Sequence, residues 1–264
     1  MGYPNFSGKH ELAPFFTPQE YQQYLAANYG WEGLPPLAGV ILTFQATFFR
    51  EVVGQSGWRR LQAPRSAVGE FHVLEQDRGV VGISGGFGVG APAATNRLED
   101  IGASGCSRFI AIGYAGALQS DLRVGDIVLC DRAIRDEGVS HHYTAPGKYA
   151  HPDPALTQAM GTQMDAAGMA HRVGTTWTID TPYRETVDEI TRYREEGALT
   201  VEMEAAALAT VAAHRNYQFA TAFVISDGLS APEWRPEFHH DDAASGLHRL
   251  LEVATATLLA EDPA

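Results

Sequence analysis

The sequence predicts an α/β fold, because short apolar runs alternate along the chain with longer amphipathic stretches. Of the 264 residues, 45% are apolar and 19% are charged, which is the composition of a folded globular protein. No Ser/Gly-rich linker divides the chain, so we expect a single domain over residues 38–264. Residues 1–37, rich in aromatic residues, Pro and Asn, are expected to form an N-terminal extension that packs on a neighbour.

Six apolar runs have the length and composition of strands. They cover residues 40–44, 80–84, 109–113, 126–129, 174–178 and 220–226. Six further segments show helical patterning. They cover residues 18–27, 92–101, 154–167, 184–196, 204–215 and 244–259. A glycine closely follows three of these helices, which is typical of a helix C-terminus because glycine adopts the left-handed conformation at least cost.

Charge and cysteine content limit the partners. A net charge of −13 at pH 7 argues against nucleic acid or an anionic membrane, because both require clustered Lys and Arg, and favours a small molecule. Cys106 and Cys130 are too few for a disulfide framework, so we expect a cytoplasmic protein without signal peptide or membrane passage. The adjacent histidines at 141–142 and 239–240 lack metal-ligand spacing, and no metal is expected.

A glycine-rich turn over residues 82–92 separates a predicted strand from a predicted helix. Backbone N–H groups in such a turn can approach an anion or a sugar closely. Gly86, Gly88 and Ala91 match the dinucleotide-binding fingerprint, but no acid follows at its spacing of about 20 residues, so we set a Rossmann site aside. The turn either faces a ligand or only allows close packing of helix on sheet.

A second stretch of small residues, 112–118, follows the predicted strand 109–113 and is expected to form another turn. Ligands of open α/β sheets bind beyond the carboxyl ends of the strands, where both turns would lie. The two turns therefore predict one shared cleft.

The strongest motif is Val-Glu-Met-Glu-Ala-Ala-Ala at residues 201–207. Together with the two turns and Val-Gly-Asp-Ile-Val at 124–128, in the same order, it resembles the nucleoside phosphorylase family. That family includes uridine phosphorylase, hexameric purine nucleoside phosphorylase and adenosylhomocysteine-type nucleosidases. Residues 135–143 and 180–183 also match, and the resemblance covers roughly residues 38–260.

The resemblance implies a mixed central sheet, partly barrel-like and flanked by helices. It implies an enzyme that cleaves the N-glycosidic bond of a nucleoside without a cofactor, with inorganic phosphate as a possible co-substrate. It also implies a homodimer or hexamer with shared active sites. His10, in the extension, is a candidate contact to a neighbour's ribose, and His142 is a candidate hydrogen-bonding partner near the cleft.

The acids of the 201–207 motif are candidates for ribose binding. A carboxylate accepts two hydrogen bonds, so one Glu can hold the 2′ and 3′ hydroxyls and favour the positive charge that develops on the sugar. Glu204 is the expected residue for this catalytic role. By resemblance Met203 lines the ribose, and Glu202 is a further candidate that projects differently. Alternatively, both acids only favour a helix N-terminus through its dipole.

Asp227 directly follows the predicted strand 220–226 and is the candidate for protonating or hydrogen-bonding purine N7 as the base leaves. Purine enzymes of the family carry Ser-Asp here and uridine phosphorylases typically do not, which implies a purine; a turn or cap role is the alternative. Tyr183 and Trp177 are candidates for stacking on the base, with core packing as the alternative for Trp177. Pro182 replaces an aromatic residue of the family pattern.

The phosphate-binding residues of the family are not intact. The Arg of the first-strand turn is missing, Ala111 stands in place of a second Arg, and Tyr114 replaces a small hydroxyl residue. The remaining candidates for phosphate contact are Arg50, Arg65, Gly86 and Tyr114 itself.

Two alternatives to phosphorolysis stay open. A nucleosidase would use water, but the water-activating Glu of such enzymes is missing from the first-strand turn, where Gln45, Thr47 and Phe48 stand. A catalytically silent nucleoside-binding protein would keep the pocket without the phosphate arginines. The sequence thus predicts ribose and base recognition and leaves the nucleophile open.

Overall fold

The computed structural model describes residues 4–229, 235–236 and 241–260, and for Arg65 and residues 235–236 only the backbone. These ranges contain eleven β-strands and eight α-helices. The strands are β1 (Gly39–Thr43), β2 (Trp58–Arg60), β3 (Phe71–Gln76), β4 (Gly79–Ser84), β5 (Arg108–Ala117), β6 (Ile127–Asp136), β7 (Tyr149–Ala150), β8 (Arg172–Ile179), β9 (Thr200–Glu202), β10 (Gln218–Gly228) and β11 (Arg235–Pro236). The helices are α1 (Pro18–Tyr29), α2 (Ala46–Gly54), α3 (Arg65–Val68), α4 (Ala91–Ala103), α5 (Pro154–Ala166), α6 (Val187–Glu195), α7 (Ala205–Arg215) and α8 (Asp241–Leu259).

All the described strands form one sheet, part of which closes into a barrel. The pairing order β5, β9, β8, β6, β10 returns to β5, so these five strands make a closed ring. From β5 an open arm continues through β1, β4, β3 and β2. β5 runs parallel to β1 and β10 and antiparallel to β9. The expected single α/β domain with a mixed, partly barrel-like sheet is confirmed.

Two hydrophobic cores lie on opposite faces of this sheet, because side chains alternate along each strand. On β5, Phe109 and Ala111 join the core that packs against α4 and α7. Ile110 and Ile112 join the core formed with α2, α5 and α8. Helices therefore cover both faces. Within the described ranges, no helix has the length and apolar character needed to cross a membrane.

The predicted turn at residues 112–118 is wrong, because β5 continues unbroken to Ala117. This half of the strand keeps partners after β1 has ended: it pairs with β10 along its length, and Gly116 pairs with Val201 of β9. A Cβ atom at Gly116 would lie 2.3 Å from a methyl carbon of Leu229. The small residues here serve close packing at the closure of the barrel.

Other predicted elements occur with shifted ends. The helix expected over 184–196 begins only at Val187, where Thr186 and Glu189 form a capping box, and a 3₁₀ turn, Pro182–Arg184, precedes it. The sequence did not predict β2, β3, β7, β9, β11, α2 or α3. Most of these are short, and a strand as brief as β9 is held by its neighbours rather than by its own pattern.

Part of the N-terminal extension packs on its own domain. Its helix α1 begins with a capping box formed by Thr17 and Glu20. Leu25 enters the core beside α4. The Gln22 side chain donates to the Asp100 carbonyl of α4 at 3.3 Å, so α1 and α4 are joined by both apolar and polar contacts.

A buried ion pair holds α4 to α7. Arg215 of α7 donates to the Glu99 carboxylate of α4, with Nη2–Oε2 and Nε–Oε2 distances of 2.7 and 3.0 Å. The Glu99 side chain is only 8% exposed. The pair therefore fixes the relative position of two helices whose N-terminal ends carry residues of the candidate site described below.

Arg215→Leu is expected to lower the free energy of unfolding by about 3 kcal/mol, because it leaves the Glu99 carboxylate buried without its partner. Chemical denaturation measures this loss. The control is Arg59→Leu, which removes an exposed ion pair with Glu75 at 2.9 Å and should change stability by less than about 1 kcal/mol. Equal losses in both variants would contradict the buried pair's role.

Candidate active site

The candidate site lies where β5 runs past the ends of its neighbours. β1 and β4 end at Thr43 and Ser84, whereas β5 continues to Ala117. β9 pairs antiparallel with this overhang, so the chain that leaves β9 turns back toward the ends of β1 and β4. The glycine-rich turn that follows β4 and the 201–207 motif that follows β9 consequently meet at one corner of the sheet.

Gly90 and Glu204 join the two motifs directly. The backbone N–H of Gly90 donates a hydrogen bond to the Glu204 carboxylate. Gly90 has a φ of 94°, a conformation that favours glycine. Met203 completes the corner, because its Cε lies 3.8 Å from where a Cβ of Gly90 would stand. Glu204 is buried and Met203 half-buried, so the two side chains form one wall of the site.

Glu202 is held by the protein itself. Its Oε2 accepts hydrogen bonds from the backbone N–H groups of Glu204 and Ala205, both at 2.7 Å. Its Oε1 accepts the hydroxyl of Thr178. Both oxygens are thus engaged, and Oε2 lies at the start of α7, as the helix-dipole alternative describes.

Burial controls the protonation of these two glutamates. It raises the pKa of Glu204 to about 8, and the neighbouring charge of Glu202 adds to this shift while the Gly90 N–H opposes it. Burial also raises the pKa of Glu202, but the hydrogen bonds from Thr178 and from the start of α7 favour its ionised form. Burial therefore makes it costly for the two glutamates to be ionised together.

Asp227 stands further along the overhang of β5. The register between β10 and β5 shifts at Ile225 and then pairs Asp227 with Gly116, an irregularity that re-aims a side chain. The Oδ1 of Asp227 lies 3.6 Å from where a Cβ of Gly116 would stand and accepts the Ser226 hydroxyl at 2.8 Å. This carboxylate is 7% exposed.

The structure adds Glu185, which the sequence did not single out. Burial and the nearby charge of Asp227 raise the pKa of Glu185 to about 7. Glu185 therefore retains a proton near neutral pH, within electrostatic reach of Asp227. An isolated Glu just before a charged helix carries no motif, so only the tertiary structure reveals it.

The two candidate stacking residues lie in opposite environments. Trp177 is fully buried on β8, packs against Ile134 and Val201, and donates its Nε1–H to Asp136 at 3.0 Å, so neither face of its ring is open to a base. This placement fits the core-packing alternative. Tyr183 is 99% exposed in the 3₁₀ turn.

The candidates for phosphate contact lie around α2 and the glycine-rich turn. Arg50 is exposed, and its Nε donates to the Ala46 carbonyl at 3.1 Å, which folds the guanidinium back over the first turn of α2. Tyr114 is half-buried with its side chain toward α2, and burial raises its pKa. Gly86 is exposed with a φ of 67°. The side chain of Arg65 lies outside the described residues.

Two side chains of α2, near the first-strand turn, contact His248 of α8. Phe48 is buried and packs edge-on against the His248 ring of α8, with ring centroids 5.0 Å apart. Glu51, the first carboxylate after β1, accepts from His248 Nε2 at 3.1 Å.

Side chains within the 135–143 segment hydrogen-bond to one another. The buried Arg135 donates from Nε to the Ser140 hydroxyl at 2.9 Å. His142 Nδ1 lies 2.8 Å from Lys9 Nζ in the N-terminal extension, while His10 faces Glu11 at 3.7 Å. His239 and His240 lie outside the described residues, among which no cluster of three metal-ligating side chains occurs.

Comparison with known proteins identifies the family. The model of the phosphorylase superfamily matches residues 58–259, and the chain belongs to this superfamily. The resemblance inferred from the motifs is thereby confirmed.

Named relatives agree with this assignment. Guanosine phosphorylase from Halorubrum lacusprofundi is 29% identical over 178 residues, which cover 64% of this chain and 73% of that protein. A DeoD-type purine nucleoside phosphorylase from Bacillus cereus is 28% identical over 191 residues, covering 67% and 79%. The crystal structure of uridine phosphorylase from Vibrio fischeri matches with a TM-score of 0.69 and 22% identity, over 84% of this chain and 89% of that one, and shows the shared fold.

The raised pKa of Glu204 predicts a pH dependence of stability. Folding raises this pKa from 4.5 to about 8, so the folded state loses stability relative to the unfolded state as pH rises through that interval. Glu204→Gln removes the titration, and the variant should gain about 4 kcal/mol over wild type between the two pH limits. Urea unfolding at both limits measures the gain. Parallel stability curves for the two proteins would show that Glu204 does not carry the shift.

Proposed function

We propose that this protein is a nucleoside phosphorylase that cleaves the N-glycosidic bond of a purine nucleoside and transfers the ribosyl group to inorganic phosphate. The observation that carries the proposal is the buried Glu204 carboxyl, held by the Gly90 N–H beside Met203 at the corner where two family motifs meet. Membership of the phosphorylase superfamily and the names of the relatives support it.

Glu204 is assigned to the ribose. Its ionised form accepts the 2′ and 3′ hydroxyls and stabilises the positive charge that grows on the sugar as the glycosidic bond lengthens. Glu202 binds the start of α7 through Oε2 and Thr178 of β8 through Oε1, and it positions Glu204 by holding that residue's backbone N–H. Met203 lines the sugar from the neighbouring position.

Asp227 is assigned to the base. The electron pair of the breaking C1′–N9 bond moves onto the purine, and a proton at N7 lets the base leave neutral. Glu185 retains a proton near neutral pH, since burial and the nearby charge of Asp227 raise its pKa to about 7. This proton supply favours a purine, which offers N7 as an acceptor, over a pyrimidine.

Inorganic phosphate is the proposed nucleophile. One of its oxygens forms the bond to C1′ while the bond to the base breaks, so the products are ribose 1-phosphate and the free base. The Arg50 guanidinium, folded over the start of α2, and the backbone of the Gly86 turn are the groups proposed to face it, with Tyr114 beside them and Arg65 as a further candidate. The engagement of Glu51 by His248 argues against hydrolysis through that acid.

Assembly and location remain part of the proposal. Tyr183 exposes 99% of its surface and Phe15 is likewise fully exposed, which suits residues that a second subunit covers. We therefore propose a homodimer or hexamer with shared sites, in which Tyr183 reaches a base only across a subunit contact. The net charge of −13 and the two buried free cysteines are consistent with a cytoplasmic enzyme that acts on small molecules.

A nucleoside panel tests the reaction. Free base is followed after incubation with purine and pyrimidine nucleosides, with and without phosphate, and release should require phosphate and favour purines. Glu204→Ala should lower kcat/KM by about a hundredfold or more while the protein stays folded. Release that is independent of phosphate would indicate a nucleosidase, and saturable binding without release would indicate a silent binding protein.

Asp227→Asn tests the leaving-group role. The substitution should lower kcat for an ordinary purine nucleoside by about a hundredfold, because an amide cannot deliver the proton to N7. A nucleoside whose base leaves without protonation is the matched substrate and should lose far less. Equal losses with both substrates would mean that Asp227 acts on structure or binding rather than on the leaving base.

A further inference from the structure

A groove lies between α5 and the strands β6 and β8, away from the candidate active site. Its volume of about 660 Å³ is in the range of small-molecule binding sites. Leu129 of β6 lines this groove and pairs with Ala222 of β10, five residues before Asp227. Five strand residues span about 17 Å, so a ligand in the groove would not meet the candidate catalytic acid.

One face of α5 forms a wall along the whole length of the groove. Residues spaced three and four apart share a face of a helix. The lining residues follow this spacing and are Pro154, Thr157, Gln158, Gly161, Thr162 and Asp165. They are small or polar, whereas Leu156, Met160 and Met164 of the same helix enter the core. From the first to the last of them the helix rises about 16 Å, which suits an extended ligand.

Thr157 presents an unused hydroxyl in this wall. The residue is only 9% exposed, and its Oγ1 has no hydrogen-bond partner among the described residues. Thr162, further along α5, instead donates to the Gln158 carbonyl at 3.0 Å, as threonines within helices commonly do. A buried hydroxyl without a partner destabilises the fold, and a hydrogen-bond donor bound in the groove would satisfy it.

Carboxylates stand toward both ends of the groove. Asp131 is the extra residue of a β-bulge, because β6 and β8 pair in register before and after it, and such a bulge re-aims its side chain. β7 ends just before α5 and pairs Ala150 with Ala133 of β6, so Asp131 lies toward the start of α5. Asp165 lies at the other end of the helix, with 80% of its side chain exposed.

His171 adds a further acceptor between apolar surfaces. Its Nδ1 lies 3.1 Å from the Met169 carbonyl, which can only accept, so Nδ1 donates and the neutral ring offers Nε2 as an acceptor. This Nε2 lies 3.9 Å from where a Cβ of Gly161 would stand, beside the helical wall. Val173, 55% exposed, and Leu129 form an apolar floor below these polar groups.

The groove has negative charge without a matching cation. None of the described residues that line it is a Lys or an Arg. Two arginines on the adjoining strands have other partners: Arg132 Nε donates to Thr175 at 2.7 Å, and Arg172 pairs with Asp121 at 3.0 Å. Carboxylates toward both ends of an elongated apolar floor are complementary to an aliphatic chain that carries ammonium groups.

We infer that this groove binds a linear aliphatic polyamine. Its terminal ammonium groups pair with Asp131 and Asp165, and its other N–H groups donate to the Thr157 hydroxyl and to His171 Nε2. The methylene segments lie on the apolar floor. An ammonium group donates and does not accept, which matches a wall of acceptors. This binding does not depend on the proposed phosphorolysis, so its test needs no turnover.

Calorimetric titration with spermine tests the inference. Wild type should bind a single equivalent, and a straight-chain diol of the same length should not bind measurably. Asp131→Asn/Asp165→Asn should raise the dissociation constant about tenfold or more, and the isosteric Thr157→Val about threefold or more. The matched control is Asp77→Asn/Glu252→Gln, which removes the same charge at exposed positions on the β3–β4 turn and on α8. It should change the constant by less than about twofold.

Three outcomes overturn the inference. Absence of saturable spermine binding to wild type shows that the groove does not take a polyamine. Equal weakening in the control and in Asp131→Asn/Asp165→Asn assigns the binding to the net charge of −13 rather than to the groove. Equally tight binding of the diol shows that the groove selects an apolar chain and not a cation. Thermal unfolding of each variant without ligand separates these results from loss of fold.

Discussion

The burial of one carboxyl, that of Glu204, against the Gly90 N–H is the constraint on which the site depends. It requires α4 and α7 to begin at the same corner of the sheet. Gly90 satisfies this requirement because its φ of 94° and its lack of a side chain let the backbone reach the carboxyl. The Glu99–Arg215 pair further along the two helices keeps them in that relation.

The sequence was sufficient for the fold class and for the parts of the site that rest on local motifs. Glycine-rich turns, strand runs and the Glu-Met-Glu segment all carry their signal within a few residues. Closure of the barrel has no such local signal, because it depends on the pairing of β5 with β9 and β10. The small residues after Ile112 therefore resembled a turn. Glu185 was missed for the same reason: its proximity to Asp227 is tertiary.

The sequence predicted Glu204 for the ribose and a different direction for Glu202, but it could not identify the partners of Glu202. Those partners depend on the direction of the chain after β9. Glu202 turns toward Thr178 and the start of α7, whereas Glu204 reaches Gly90. Trp177 has a side chain that could stack on a base, but its buried position on a barrel strand keeps it out of the cleft.

The engagement of Glu202 has an evolutionary consequence. Glu202 stabilises the start of α7, while Glu204 bears the energetic cost of a buried acid. If Glu204 has the proposed ribose role, a single replacement of it removes the reaction and stabilises the folded chain. Descendants that keep the scaffold for recognition or regulation alone are one mutational step away, and selection for turnover must continually oppose that drift.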